Sequence, residues 1–280
     1  MILIADSGST KTDWRMIDPG NENRTSGFVS NGINPYYENQ DEIISKLKGE
    51  VLPFVGDADL DEIRFYGAGC TEVKKEMMKI LLRTVLGDAE ISVESDLMAA
   101  AHALLGRKAG IACILGTGSN SCFYDGERIL DNVSPLGFIL GDEGSGAVLG
   151  KLFIGDLLKK QLPWDLSDIF WQSFPDLKQS DVIERVYRKP FPNRYLAQFT
   201  RFLGEHRDYE YVRRLLTNSF KAFLRRNVMQ YDYQNYESHF VGSVAAVFEE
   251  ELREAADDCG VVVGQVTRTP MEGLIHFYKS

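Results

Sequence analysis

No CxxC pair occurs in this sequence; its four cysteines, Cys70, Cys113, Cys122 and Cys259, stand singly. That argues against a zinc ribbon, thioredoxin-type redox chemistry and a clustered-cysteine iron–sulfur framework. The four histidines, His102, His206, His239 and His276, lie far apart and form no HExxH. His102, on an Ala-rich segment, reads as a packed or exposed side chain. Walker GxxxxGK[ST], GxGxxG and GxSxG are all missing. The longest uncharged run, 109–124, is broken by Gly, Ser, Thr and Asn and is too short for a spanning helix. Positive charge is scarce: 31 Lys and Arg face 41 Asp and Glu, net −10, and the pI is ≈ 5.0. No grip on nucleic acid or on an anionic membrane is expected from that balance. The first residues, Met1-Ile2-Leu3-Ile4-Ala5-Asp6, lack a charged n-region and reach an acid too early for a signal segment. A cytoplasmic protein with reduced thiols is expected.

What is present is an ordinary globular composition, 44% hydrophobic and 26% charged over 280 residues. Such a chain makes one large domain or two lobes. Apolar 2–5 reads as a buried strand, 12–17 as its partner and 27–30 as a short third strand. A helix is expected over 40–52, a strand over 63–66, a helix capped by Thr71 to about residue 86, a strand over 90–94 and a helix over 97–105. The pattern then repeats: strand 110–115, a small-residue turn, strand 120–124 and a hairpin at Asp125-Gly126. Strand, glycine loop and strand occurring twice point to two similar lobes. Residues 163–236 read as a helical insertion carrying little chemistry, its aromatics forming core with no basic run beside them. A strand over 239–241, a helix over 244–256, a strand over 261–266 and a terminal helix with Pro270 at its start complete an α/β chain with mixed sheets.

Five places could carry chemistry. Asp6-Ser7-Gly8-Ser9-Thr10-Lys11-Thr12 sets a carboxylate at a strand end before a turn whose N–H groups can close on phosphate oxygens. Asp6 could hold Mg²⁺ directly or through water, while Thr10 and Lys11 add a hydroxyl and a cation. Gly116-Thr117-Gly118-Ser119-Asn120 has the same physics without an acid. Gly141-Asp142-Glu143-Gly144-Ser145-Gly146 precedes a helix, where acids favour the dipole. Gly242-Ser243-Val244-Ala245 turns from strand to helix, where a glycine lets a flat ring lie on the backbone. Asp96 reads either as the N-cap of its helix or as a base taking a proton from an attacking hydroxyl. Taken singly, each loop is also an ordinary turn.

In this order the motifs resemble those of the actin/hexokinase/Hsp70 superfamily, and more closely the BadF/BadG/BcrA/BcrD ATPase family with N-acetylglucosamine kinase. The resemblance implies two ribonuclease H-like lobes with mixed sheets around an ATP cleft. It places the N-terminal lobe at 1–107, with a helix over about 269–280 packing back on it. The C-terminal lobe is then 108–268, with the insertion at 163–236. It implies ATP and Mg²⁺ as cofactors and an amino sugar as acceptor, phosphorylated at its 6-hydroxyl. By motif position Asp96 resembles the catalytic base, and Asn34, Gly137 and Asp142 resemble sugar contacts. Gly8, Ser9, Thr10, Lys11, Gly116, Thr117, Gly118, Ser119, Gly242 and Ser243 resemble ATP contacts, and Asp6 the Mg²⁺ ligand. Leu136 stands where many relatives carry Trp, and residues 270–274 lack the usual Gly-Ala pair. Related kinases are often homodimers; nothing in the sequence marks an interface. Two other readings stay open. One is an ATPase activating a 2-hydroxyacyl-CoA dehydratase through a shared iron–sulfur cluster, although Cys113 lies within an apolar strand. The other is a non-catalytic ATP-binding sensor.

Overall fold

The computed structural model describes residues 1–8 and 11–279, apart from the side chains of residues 22 and 23. The chain divides into two units, Met1–Gly106 with Pro270–Ser280, and Arg107–Thr269.

The first unit is built on β1 (Ile2–Ser7), β2 (Lys11–Asp18), β3 (Asn21–Asn31), β4 (Glu62–Gly67) and β5 (Glu90–Ser95), in the order β3-β2-β1-β4-β5. β1 runs antiparallel to β2 and parallel to β4, so the sheet is mixed. β1 is apolar on both faces because both are covered. Leu3 and Ala5 join a cluster with Trp14, Ile43, Phe65 and Met78. Ile2 and Ile4 pack on the other side with Ile17, Ala99, Met271 and Leu274. The first face is covered by α1 (Gln40–Lys46), a π-helical stretch (Leu47–Val51), α2 (Leu52–Val55) and α3 (Glu72–Leu86). The second is covered by α4 (Asp96–Leu105) and, from the far end of the chain, α14 (Met271–Lys279).

In the second unit, β6 (Gly110–Leu115), β7 (Ser119–Tyr124), β8 (Ile129–Asp131), β9 (Ser238–Val241) and β10 (Val263–Thr267) take the order β10-β9-β6-β7-β8. Counted within each unit, both sheets have the order 3-2-1-4-5, with an antiparallel hairpin first and parallel strands after. The duplicated hairpin thus belongs to a duplicated sheet. Between β8 and β9 lie α5 (Gly137–Leu140), α6 (Gly146–Leu158), α7 (Trp164–Ser173), α8 (Gln179–Tyr187), α9 (Pro192–Ala197), α10 (Thr200–Glu205) and α11 (Glu210–Arg226). After β9 come α12 (Ser243–Val247) and α13 (Glu249–Cys259). Phe153, Phe170 and Phe202 form an aromatic centre for these helices, Phe170 and Phe202 with ring centroids 5.1 Å apart.

Three local expectations are corrected. The third strand is much longer than 27–30, because an exposed edge strand lacks the alternation that would announce it. The helix expected over 40–52 is interrupted by the π stretch, just before Pro53, which has no N–H for the helical ladder. The helix expected over 244–256 is two, parted at Phe248 (φ −112°, ψ 34°). Glu249, Glu250 and Glu251 then favour the new N-terminus.

Candidate active site

In the first unit the candidate groups gather at the carboxyl ends of β1, β4 and β5, where open α/β sheets bind ligands. Register aligns Asp6 with Tyr66 and Glu94, and Ser7 with Gly67 and Ser95. Asp96 follows directly, so Asp6, one residue before the end of β1, and Asp96, just past the end of β5, lie on either side of β4. The cap of α4 is Ser95, whose hydroxyl accepts from Met98 N at 3.2 Å. The alternative reading of Asp96 as the cap is therefore overturned. Asp96 is the first helical residue, partly buried, with Oδ1 accepting from Leu97 N at 2.9 Å. Burial raises its pKa, against the opposing pull of that N–H and its own. Asp6 is pushed up to about 7, chiefly by burial and then by the charges of Asp96 and Asp13, with Lys11 acting against them.

Gly8 N donates to Lys11 O at 3.0 Å, closing the first loop, and Lys11 is exposed at the start of β2. Ser9 and Thr10, expected to touch ATP, lie outside the described residues. Ser7 and Thr12, the buried members of the first motif to which the sequence assigned no contact, share a hydroxyl contact of 2.6 Å. Ser7 Oγ also donates to Ile33 O at 2.8 Å and accepts from Ile33 N at 3.1 Å. These bonds fasten the hairpin to the segment bearing Asn34. Asn34 is buried; its N–H donates to Glu38 and its Oδ1 accepts from Tyr36 N at 3.0 Å. The Asn34 amide nitrogen has no hydrogen bond among the described residues. Lys46 Nζ binds Glu38 and donates to Gly32 O, bracing the same loop.

In the second unit, four expected regions converge on the carboxyl end of β6. Gly116 N bonds Gly118 O at 2.9 Å, and the first amides of α6 return to this loop: Gly146 N to Gly116 O at 2.8 Å and Ala147 N to Thr117 O at 3.0 Å. Ser145 caps α6, its hydroxyl accepting from Val148 N. Asp142 adopts φ 55°, a left-handed conformation that Asp tolerates better than most residues. Its Oδ1 accepts from Ser119 N at 3.3 Å, and a Cβ at Gly118 would stand 3.3 Å from Oδ2. Burial pushes its pKa up to about 6, with Glu143 adding to this and Ser119 N–H and Lys151 opposing it. Asp142 N donates to Pro135 O at 2.9 Å, so Gly137 and Asp142 occupy one closed loop. Lys151 Nζ donates to Phe138 O at 2.5 Å, tying that loop to α6. At Gly242 φ is +133°, and a Cβ would lie 2.1 Å from Leu115 O. Only glycine fits there, beside the second loop, with Ser243 exposed at the start of α12.

Two consequences follow for cofactors. Asp6 is a hard oxygen donor, with its ionised form disfavoured by burial and two neighbouring carboxylates, an arrangement that suits Mg²⁺ bound by one carboxylate together with phosphate oxygens and water. Among the described residues no three His, Cys, Asp or Glu side chains converge as a ligand set of their own. Cys113 and Cys122 are fully buried; burial pushes Cys122 to about 12 and Cys113 well above its usual value. Neither offers an accessible thiolate to a cluster shared between subunits. His102 is packed as expected, bonding Tyr66 OH at 2.7 Å and stacking on Phe277. No helix among the described residues is long and apolar enough to cross a membrane.

The chain is similar over its whole length to the "Putative N-acetylglucosamine Kinase" of Porphyromonas gingivalis, at 49% identity and TM-score 0.95, covering 100% of this chain and 99% of that one. A protein of the same description from Chromobacterium violaceum shares the fold at 15% identity and TM-score 0.70, covering 99% and 98%. A ROK family glucokinase from Streptomyces griseus, solved with glucose and AMPPNP, shares it at 15% identity and TM-score 0.58, covering 98% and 97%. No protein-family model matches the sequence, and no curated protein does.

Proposed function

The chain belongs to the N-acetylglucosamine kinase-like family of phosphotransferases with the actin/hexokinase fold, and we propose that it phosphorylates the 6-hydroxyl of N-acetylglucosamine or a close amino sugar with ATP. The observation that carries the reading is Asp96: a carboxylate at a strand's carboxyl end, relieved of capping by Ser95 and held against solvent. A general base needs such a group within reach of the proton it takes.

In this reading Asp96 orients the sugar hydroxyl and accepts its proton as the new oxygen–phosphorus bond forms. The bond from the γ-phosphorus to the bridging oxygen breaks and ADP leaves. Asn34, with its amide NH₂ uncommitted among the described residues, Asp142 and the backbone near Gly137 are the proposed contacts to the sugar. Gly8, Ser9, Thr10 and Lys11, with Gly116, Thr117, Gly118 and Ser119, flank the phosphates, the hydroxyls of Ser9, Thr10, Thr117 and Ser119 and the Lys11 ammonium being the donors. Gly242 and Ser243 offer a flat backbone surface to the adenosine. Bound at Asp6, directly or through water, Mg²⁺ supplies neutralising charge for the transferring group. Phosphoryl transfer asks the protein for position and charge more than for covalent chemistry.

The test is coupled ADP release with N-acetylglucosamine, glucosamine, N-acetylmannosamine, glucose or no sugar. Stimulation by an amino sugar above the sugar-free rate is expected. A rate unchanged by all of them removes the kinase reading.

A further inference from the structure

The helical insertion does more than pad the second unit. The chain as a whole is acidic, net −10, yet from Arg185 to Gly204 it contains Arg185, Arg188, Lys189, Arg194 and Arg201 and no acid. In sequence these cations are scattered among aromatics. Folding brings Arg185, Lys189 and Arg194 to the lining of one groove of about 980 Å³ between α8 and α9, with Phe191 and Tyr195 beside them. That volume is at the upper end of small-molecule sites.

The acids of the lining are already engaged. Asp181 accepts from Lys178 N at 3.1 Å, and Glu184 pairs with Lys189 at 2.9 Å, both side chains about half exposed at 54% and 50%. Such an exposed pair exchanges partners at little cost. Arg185 forms no ion pair among the described residues, and its guanidinium carbon lies 6.0 Å from the Tyr195 ring centroid. The Tyr195 hydroxyl is buried with no hydrogen-bond partner among the described residues, a state that lowers stability unless a partner arrives.

The backbone is strained at the same place. Phe191 sits at φ 57°, ψ 49°, a left-handed conformation rare for an aromatic residue. It also precedes Pro192, and a residue before proline favours extended backbone. The Arg194 guanidinium lies over its ring, 4.1 Å from the centroid, holding the bend. Strain of this kind persists where the surroundings fix it, and it collects at ligand clamps.

We propose that the groove between α8 and α9 binds the dianionic phosphate of a small phosphate monoester, with Arg185 and Arg194 as the charged donors, Tyr195 as a hydroxyl donor and Phe191 flanking the ester's body. Guanidinium groups match phosphate oxygens in paired, charge-assisted hydrogen bonds. A sugar phosphate and a nucleoside monophosphate share this chemistry. The site is independent of the kinase reading: binding here is expected whether or not a sugar stimulates ADP release.

Hydrogen exchange on the full chain tests it, with inorganic phosphate, N-acetylglucosamine 6-phosphate, AMP and neutral N-acetylglucosamine at matched ionic strength. Saturable protection across 184–198 is expected with at least one phosphate probe and not with the neutral sugar. The ester that protects at the lower concentration identifies the source. Arg185→Glu should weaken that protection about ten- to a hundredfold, the loss of a hydrogen bond to a charged group. Tyr195→Phe should weaken it without lowering the melting temperature, since the removed hydroxyl has no partner among the described residues. Absence of protection with every phosphate probe, or undiminished protection in Arg185→Glu, overturns the site.

Discussion

Ser95 and Asp96 are both residue types that cap helices, and their order in the chain does not say which one does so. The backbone decides: β5 runs through Ser95, which keeps extended dihedrals and takes the cap, and Asp96 begins the helix. Its carboxylate is then available for chemistry. Asp96→Asn keeps shape and volume, so ATP binding should persist while turnover falls roughly 10²–10⁴-fold. Single-turnover kinetics beside a nucleotide titration would check both. Asp142 allows a prediction for stability. Its folded pKa of about 6 exceeds the usual carboxyl value, so the folded state holds a proton that the unfolded chain has released. Stability should therefore fall as pH rises from about 4 to about 6 and stay lowered above that. Asp142→Asn should stabilise the ligand-free protein at pH 7.5 by about 1–2 kcal/mol after solvent screening, make that pH dependence shallower while leaving the part due to Asp6, and abolish sugar-stimulated turnover. Chemical denaturation at several pH values would show it. A motif comparison can flag Asp142, but its left-handed backbone and its bond to Ser119 appear only once the loop has closed.

Among the elements, those with a local signal were readable and those defined by distant partners were not. β1 and β6 announce themselves as short apolar runs because both faces are covered. β3 does not, because most of it is exposed and its long pairing with β2 is supplemented toward its end, where Phe28 meets Phe54 and Asn31 bonds Glu50. Pro53 was visible, but the sequence does not say that the helix ahead of it widens rather than ends; the widened stretch keeps Leu47 and Val51 buried in the core. The role of each glycine in α6 was likewise invisible. A Cβ on Gly150 would stand 1.9 Å from Leu196 O, a backbone atom of α9, whereas one on Gly155 would meet nothing within 4 Å. Alanine gains about 1 kcal/mol of helix propensity at either position. At Gly150 the clash should outweigh that gain and destabilise by roughly 1–3 kcal/mol. At Gly155 the gain should stand alone. Thermal melts of the two variants should move in opposite directions.

At the scale of the molecule, the duplicated sheet was legible because its first hairpin repeats in composition and spacing. The helical character of the insertion was legible too, but its groove was not, because the residues that line it are separated along the chain and their charges look like an ordinary solvated face. The terminal helix is the other long-range feature. Met271 and Leu274 pack on Ile2, Ile4 and Ile17, and Tyr278 OH meets Tyr66 OH at 2.5 Å. Deleting residues 270–280 should therefore loosen the first unit and spare the second. Hydrogen exchange should rise across β1 and β4 while β6 and β9 stay protected; equal loosening of both units would contradict the assignment of this helix.

A ribosome delivers all of 107–269 before it delivers α14, which completes with α4 the cover over one face of β1. The later-made unit can thus be finished first, while the strands that emerged earliest keep an oily flank open. A nascent chain stalled near residue 269 would be the species most in need of a chaperone.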